Sequence, residues 1–286
     1  MTTGTALRLP PGILGMVTPP ITDTVDARWL MAYAAGLGEA AERWYDTQAA
    51  GGPLAHPLFP VCYEWPALVA LRQRVTGDDL ARLSVHATHD LVIERLPRDG
   101  DRVTTTARMV AVERRRTGTL VVARLTTVDA DGRVLTTTDY GSVYRGVDTP
   151  ETGRIADPLS RPAARAGAIL WSKRVELPSG IAHVYTECAR IWNPIHTDAA
   201  VARAAGLPAI ILHGTATLAL AVSRIVTREL GGEVAGVRGV AARFTGFVRL
   251  PSAITVRGRG RGATTIVFDA VDADGTSVLG EGVLST

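Results

Sequence analysis

The sequence predicts an α+β fold in which an antiparallel sheet wraps a central helix, and it predicts this unit twice. The pentapeptide Val-Asp-Ala-Asp-Gly occurs at 128–132 and again at 271–275, an offset of 143 residues in a chain of 286. Each copy lies between β-rich runs, where Asp-Gly favours a tight turn. Arg-Leu-Pro precedes a predicted strand in both halves, at 95–97 and 249–251. A helix followed by several strands, occurring twice, indicates two copies of one α+β unit.

The first half shows helical patterns followed by four runs that alternate apolar and polar residues. The helices are predicted at 27–38 and 65–75, and the strands at 84–95, 102–114, 119–128 and 134–145. Glycine-containing turns separate these strands.

The second half predicts a strand near 181–189, a short helix near 198–205 closed by Gly206, and a longer helix at about 214–230. The side chains of the longer helix are small and apolar on nearly all sides, so we expect the helix to be buried. Gly231-Gly232 should end it. Strands are predicted at 237–248, 252–260, 263–271 and 277–285.

Three prolines, at 150, 158 and 162, mark residues 148–168 as a linker. The chain then divides into an N-terminal unit, 1–147, and a C-terminal unit, 169–286. The N-terminal unit is expected to serve as a scaffold, and the C-terminal unit to carry the site.

Composition excludes several classes of function. The chain is 46% hydrophobic and 21% charged, with a net charge of only +3 and no long basic stretch, so nucleic acid is not an expected partner. Two cysteines cannot form a disulfide framework. No run of about 18 uncharged apolar residues could span a bilayer, and the N-terminus lacks the blocks of a signal peptide. We expect a cytoplasmic protein without membrane contact.

Two short segments in the C-terminal unit carry chemistry. Asn193-Pro194-Ile195-His196 should form a turn because proline breaks regular structure, with Thr197 or Asp198 capping the next helix. His213-Gly214 starts the buried helix, where unpaired N–H groups can hold an oxyanion. His196 is a candidate general base facing that helix end. The alternative is a histidine satisfied by hydrogen bonds within its turn.

These segments resemble a known family. Asn193 to His196, Ala205-Gly206, Leu212-His213-Gly214 and Arg243 to Gly246 are similar to the hydratase motif of the MaoC-like, or R-specific enoyl-CoA hydratase, hotdog family. The first half is similar to the degenerate N-terminal hotdog of its double-hotdog members. The matching segments there are Tyr33 to Gly38, His56 to Pro60, Val85-His86 and Leu96 to Asp101.

The resemblance implies a tandem hotdog that adds water to, or removes it from, an acyl thioester on coenzyme A or an acyl carrier protein, without a metal or other cofactor. It implies His196 as the acid–base group, Gly214 as the oxyanion donor and Asn193 as a positioning group. Ile191, Trp192, His213 and Thr215 are expected to line the substrate site. A tandem hotdog contains in one chain the two paired hotdog units that single hotdogs bring together by dimerising. The sequence leaves open whether the whole chain also forms a homodimer.

The motif departs from the family at one position, because Ile191 stands where family members have an aspartate. Isoleucine can neither take a proton nor orient a water, so the usual acid–base pair is incomplete. Three candidates for a substitute acid lie nearby, namely Tyr185 and Glu187 on the predicted strand and Asp198 beyond His196. The alternative to an acid role is that Glu187 is simply solvated and that Asp198 only caps a helix.

Two further interpretations follow from the missing aspartate. His196 could act alone in a dehydration, a double-bond migration or a ring closure on a polyketide-type intermediate. Catalysis could also be lost, leaving a protein that only binds an acyl chain. A thiolate nucleophile at Cys188 beside His196 is a weaker alternative. His86 and His89 should point to opposite faces of their strand, which argues against a metal pair.

Overall fold

The computed structural model describes residues 7–81, 83–160 and 165–286. Within them the first half contains β1 (Ile21–Thr24), α1 (Ala27–Gly36), α2 (Pro60–Ala81), β2 (Ser84–Ile93), β3 (Arg102–Arg115), β4 (Gly118–Val128), β5 (Val134–Arg145) and β6 (Gly153–Arg154). The second half contains β7 (Trp171–Leu177), α3 (Ile181–Ala189), α4 (Ala199–Ala204), α5 (Gly214–Glu229), β8 (Gly239–Phe244), β9 (Ser252–Arg261), β10 (Thr265–Asp272) and β11 (Ser277–Ser285). Short 3-10 helices cover Glu42–Trp44 and Pro194–His196.

The strands form one continuous antiparallel sheet with the same order in both halves. The first half runs β1-β3-β4-β5-β2, and the second continues as β8-β11-β10-β9-β7, so that β2 and β8 join the halves edge to edge. Outward from the β2–β8 pair, each strand of one half has its counterpart at the same position in the other half. The short β6 pairs with β3 outside this order. The predicted α+β tandem arrangement is thereby confirmed.

The repeated pentapeptide forms the same turn in both halves. In the first, Asp129 Oδ1 accepts hydrogen bonds from the N–H groups of Asp131, at 3.0 Å, and Arg133, at 2.9 Å. In the second, Asp272 Oδ1 accepts from Asp274, at 3.0 Å, and Thr276, at 2.8 Å. The glycine that closes each turn has a positive φ, which a residue without Cβ adopts readily. The sequence repeat therefore marks equivalent hairpins, β4-β5 and β10-β11.

The two central helices supply much of the core. Eleven of the sixteen residues of α5 are buried, as its uniformly small and apolar sequence predicts. α2 begins at Pro60, five residues before the predicted start, and contains Pro66. No described helix combines the length and the apolar character needed to cross a bilayer.

Two sequence predictions are wrong. The segment 181–189 is the helix α3, not a strand, and it packs against α1. Its Ile, Val, Thr and Tyr favour strands by propensity, but tertiary packing overrides this preference. His86 and His89 do not lie on opposite faces, because a β-bulge leaves one extra residue between His86 and Thr88 and shifts the alternation. Their ring centroids are 5.5 Å apart.

The predicted division of the chain at residues 148–168 stays a prediction. β6 lies inside this stretch, and Arg8 forms a bridge with Asp148. Pro162, one of the three prolines that suggested the linker, lies outside the described residues.

Candidate active site

A cavity of about 690 Å³ lies between the two halves. One wall comes from the segment 191–196 and the start of α5, and another from α2 and β2 of the first half. The α2 residues that line it follow helical spacing, at positions 61, 64, 65, 68, 69, 72 and 73, so one helix face is turned to the cavity. Most of the exposed lining is apolar. The volume and lining suit a small organic ligand with an apolar chain.

His196 is held by the turn that contains it. The Asn193 side chain accepts a hydrogen bond from Ile195 N–H, and Pro194 opens the 3-10 helix that ends at His196. Asp198 then caps α4, as predicted. Nδ1 of His196 lies 2.8 Å from the Ile211 carbonyl, which can only accept, so the proton is on Nδ1 and Nε2 carries the lone pair.

The protonation of His196 follows from its surroundings. The side chain is buried, and burial lowers its pKa to about 4, while the bond to the Ile211 carbonyl acts in the opposite direction. The imidazole is therefore neutral at neutral pH. No described residue hydrogen-bonds to Nε2, and His196 lines the cavity, so Nε2 is available to accept a proton from a bound molecule.

His213 and Gly214 lie directly beside His196. The two imidazoles stack, with ring centroids 3.7 Å apart and planes inclined by 25°. Nε2 of His213 is 3.1 Å from the Thr186 hydroxyl, and burial holds the pKa of His213 well below its usual value, with His196 adding to the effect. A bond from Leu212 N–H to the Val248 carbonyl fixes the approach to α5.

Gly214 is the first residue of α5, so its N–H has no acceptor within the helix. It lines the cavity together with His196. A Cβ at this position would come within 3.1 Å of the Phe244 ring. Glycine thus keeps the helix N-terminus, with its partial positive charge, open to a ligand oxygen.

The segment before the turn at 193–196 has apolar side chains at the place where the family motif has an aspartate. α3 ends at Ala189, and the left-handed conformation of the next residue, Arg190, turns the chain. The Arg190 guanidinium lies 4.0 Å from the centre of the Trp29 ring. Ile191 follows, buried and lining the cavity, whereas Trp192 is 62% exposed at the edge of the lining. Thr215 also lines it and accepts a hydrogen bond from Tyr185.

The three predicted substitutes for the aspartate lie elsewhere. Glu187 is exposed on α3, and Asp198 is exposed and engaged as the cap of α4. Tyr185 is buried between Tyr33 and Thr215, with its pKa raised by burial. None of the three belongs to the cavity lining. Cys188 lies outside it too, and burial raises the pKa of its thiol, which disfavours a thiolate.

Sequence reasoning missed the polar groups that the first half contributes. Glu64, Arg72, His86 and Tyr140 all line the cavity. The His86 ring stacks on Tyr140 at 3.5 Å, and Arg72 lies over Tyr140 while donating to Ser142. One signal was present, since Glu64 is the only charged residue between positions 55 and 71. The described part of the chain has no cluster of three or more residues suited to hold a metal ion.

Comparison with known proteins gives the class of this chain. Residues 182–278 match the family described as MaoC like domain. Residues 13–138 match the family described as FAS1-like, dehydratase domain region. Both families are of the hydratase and dehydratase type. The chain thus carries a MaoC-like dehydratase domain in its second half and a FAS1-like dehydratase region in its first.

Solved structures share the fold over nearly the whole chain. A MaoC-like dehydratase from Phytophthora capsici superposes with a TM-score of 0.81 at 23% identity, covering 96% of each chain. A Mycobacterium tuberculosis protein described as a double hotdog fold superposes with a TM-score of 0.62 at 18% identity, covering 95% of each. The tandem hotdog predicted from the sequence is confirmed.

Curated relatives match shorter segments. The fatty acid synthase subunit beta of Aspergillus oryzae is 41% identical over 88 residues, which cover 30% of this chain and 4% of that protein. The enoyl-CoA hydratase ChsH3 of Mycobacterium tuberculosis is 39% identical over 64 residues, which cover 22% of each. The matched segments are therefore a small part of both relatives.

Proposed function

We propose that this protein is a hydratase or dehydratase-type lyase that acts on an acyl thioester carried by coenzyme A or by an acyl carrier protein. One arrangement carries the proposal, namely a neutral His196 with an available Nε2 on the same cavity as the N–H of Gly214. The apolar walls suit the acyl chain. The names of the curated relatives, a fatty acid synthase subunit and an enoyl-CoA hydratase, agree with this substrate class.

The chemistry follows from these two groups. In the dehydration direction, Nε2 of His196 takes the proton from Cα of a 3-hydroxyacyl thioester, and the electrons that remain form the Cα–Cβ double bond as the Cβ–O bond breaks. The Gly214 N–H stabilises negative charge on the thioester oxygen during this step. The departing hydroxyl takes one proton, either from an acid in the cavity or back from the His196 imidazolium, and leaves as water. Hydration is the same sequence in reverse. Asn193 acts by holding the turn that orients His196.

A second candidate function is favoured by Ile191. An apolar side chain at this position would exclude the water that hydration needs, which suits a cyclase or isomerase using His196 as a single proton shuttle, or a protein that only binds an acyl chain. These candidates predict an occupied cavity without hydration of an enoyl thioester. The presence of buried His196 beside an open helix N-terminus favours the lyase.

The test measures hydration of enoyl-CoA thioesters of several chain lengths, and dehydration of the corresponding 3-hydroxyacyl thioesters, by absorbance of the conjugated thioester. We expect turnover by the unmodified protein and a loss of at least a hundredfold in kcat for His196→Ala. Glu187→Ala is the control, because Glu187 is exposed on α3 and lies outside the cavity lining. Equal rates for His196→Ala and the unmodified protein would overturn the lyase assignment. Thioester binding with no turnover in either direction would favour the second candidate.

A further inference from the structure

We propose that Glu64, on the central helix of the first half, is the second acid–base group of the site and does the work of the carboxyl that Ile191 lacks. This inference rests on the proposed lyase function. It assigns a proton donor to a half of the chain that sequence analysis treated as a scaffold.

The position of Glu64 is the first argument. Its side chain is 3% exposed and lines the cavity that also contains His196, Gly214 and Ile191. Glu64 lies four residues after Pro60, in the second turn of α2. Val61, one turn earlier on the same helix face, lines the cavity as well.

Two buried tyrosines lie in contact with each other between the start of α2 and the start of α5. The Tyr33 hydroxyl donates to the Leu58 carbonyl at 3.2 Å and lies 3.4 Å from the Tyr185 hydroxyl. Tyr185 in turn donates to Thr215, the second residue of α5, at 3.1 Å. The beginnings of the two central helices are thus linked through two buried tyrosines. The N-terminal parts of both helices contribute to one cavity, with Glu64 from one and Gly214 from the other.

The bonding of Glu64 leaves one oxygen for chemistry. The Thr138 hydroxyl on β5 donates to Oε1 at 2.7 Å. No other hydrogen bond and no ion pair to a basic residue involves Glu64 in the part of the chain that the structure describes. With Oε1 accepting from Thr138, Oε2 is the oxygen that can carry a proton and donate it to a ligand.

The electrostatic surroundings agree with this role. Burial raises the pKa of Glu64 to about 8, although the bond from Thr138 acts in the opposite direction. The carboxyl is therefore protonated at neutral pH, while His196 is neutral and able to accept. Two titratable groups on one cavity, with pKa values pushed apart by their environments, define an acid and a base.

The proton balance of the reaction closes with this pair. His196 Nε2 takes the Cα proton, the Cβ–O bond breaks with its electrons on oxygen, and Glu64 gives that oxygen its proton, so that water leaves. Glu64 is then a carboxylate and His196 an imidazolium. Transfer of one proton from the imidazolium to the carboxylate, through a water in the cavity, restores the starting state.

The decisive variant is Glu64→Gln, which keeps the size of the side chain and an oxygen for Thr138 but has no acidic proton. We expect kcat to fall by about a hundredfold or more, with little change in KM. Glu187→Gln is the matched control, because Glu187 is an exposed glutamate outside the cavity, and it should retain the unmodified kcat. Circular dichroism and a thermal melt check that both variants fold.

The pH profile separates an acid from a structural residue. In the unmodified protein, kcat/KM should rise with increasing pH as His196 loses its proton. It should fall again at higher pH, on the alkaline limb of the profile, as Glu64 ionises. Thr138→Val removes a bond that lowers the pKa of Glu64, so its alkaline limb should move to higher pH while the carboxyl stays in place. Ile191→Asp in the Glu64→Gln background should recover part of the lost kcat by restoring a carboxyl to the cavity.

The outcomes distinguish this inference from the function on which it rests. If Glu64→Gln keeps the unmodified kcat and the same alkaline limb while His196→Ala is inactive, the lyase stands and the role of Glu64 is overturned. A Thr138→Val profile with an unmoved alkaline limb also counts against Glu64. If His196→Ala matches the unmodified protein, or no acyl thioester is turned over at all, the proposed function fails and the role of Glu64 with it.

Discussion

His196 and His213 stack face to face, with ring centroids 3.7 Å apart, in the wall of the cavity. Both imidazoles are buried and both have lowered pKa values. Burial is the main cause of both shifts, and at His213 the neighbouring His196 adds to it, so each ring stays neutral in the folded protein. The site holds a proton acceptor at neutral pH because this pair resists protonation.

This pairing predicts a loss of stability in acid. The folded-state pKa of His196 is about 4 and its ordinary value is 6.5, so the unfolded chain binds a proton that the folded protein does not as the pH falls from 6.5 towards 4. His196→Asn can keep a donor towards the Ile211 carbonyl but cannot titrate. We expect its free energy of unfolding, from urea titrations, to fall less between pH 7 and pH 5 than that of the unmodified protein.

The control for this measurement is His183→Asn, which removes an exposed histidine on α3. If His196→Asn and His183→Asn give parallel curves, the neutral state of His196 does not contribute to the acid sensitivity.

Gly214→Ala tests the open helix N-terminus. The added methyl group would lie 3.1 and 3.2 Å from two carbons of the Phe244 ring, so the ring or the start of α5 must shift. We expect kcat/KM to fall by about a hundredfold, because a displacement of this size at a positioning group is costly. Combining it with Phe244→Leu should relieve the contact and recover part of the activity. An unimpaired Gly214→Ala variant would contradict the assignment of this N–H.

Much of the fold could be predicted because its signals are local. Asp129 and Asp272 direct the same turn through hydrogen bonds to the next few backbone N–H groups, so five residues of sequence suffice to specify each turn. The uniformly apolar sequence of α5 likewise predicts a buried helix without any tertiary information.

The errors have non-local causes. The side chains of α3 favour a strand, and only packing against α1 makes this segment a helix. The bulge at Ala87 depends on how β2 pairs with β5. Glu64 was missed because a glutamate within a helix is usually solvated, and its burial becomes evident only when α2 lies against β5. The motif could be read from the sequence, whereas the isolated charge of Glu64 did not by itself show that this residue lines the same cavity.

Ile191→Asp returns a carboxyl to the place where the family motif has one. In the Glu64→Gln background, which lacks the proposed proton donor, we expect enoyl-thioester hydration to increase by roughly tenfold or more, because a positioned acid–base group typically contributes far more than that. A cost of about 1–3 kcal/mol in the free energy of unfolding should accompany it, since a polar group replaces a buried isoleucine. Ile191→Asn is the matched control, similar in size but unable to ionise. Equal hydration by the two variants would show that the carboxyl is not responsible.

The Tyr33–Tyr185 pair should couple the two halves energetically. Tyr33→Phe removes the donor to the Leu58 carbonyl and the contact with the Tyr185 hydroxyl, all in a buried setting. We expect a loss of about 1–3 kcal/mol, the cost of leaving a buried acceptor unpaired. A double-mutant cycle with Tyr185→Phe, measured by denaturant unfolding, should give a non-zero interaction energy. Additive losses would mean that the two hydroxyls act independently.

Glu64 predicts a stability change at the other end of the pH range. Its ordinary pKa is 4.5 and its folded-state pKa is about 8, so between these values the unfolded chain releases a proton that the folded protein retains. Stability should therefore decline as the pH rises from 4.5 to 8, by a few kcal/mol, because each pKa unit corresponds to roughly 1.4 kcal/mol. Glu64→Gln should flatten this decline and raise stability at pH 8, whereas Glu187→Gln, on the exposed face of α3, should leave it unchanged. Parallel curves for the unmodified protein and Glu64→Gln would mean that Glu64 ionises in the folded protein as it does in the unfolded chain, and could not serve as a proton donor at neutral pH.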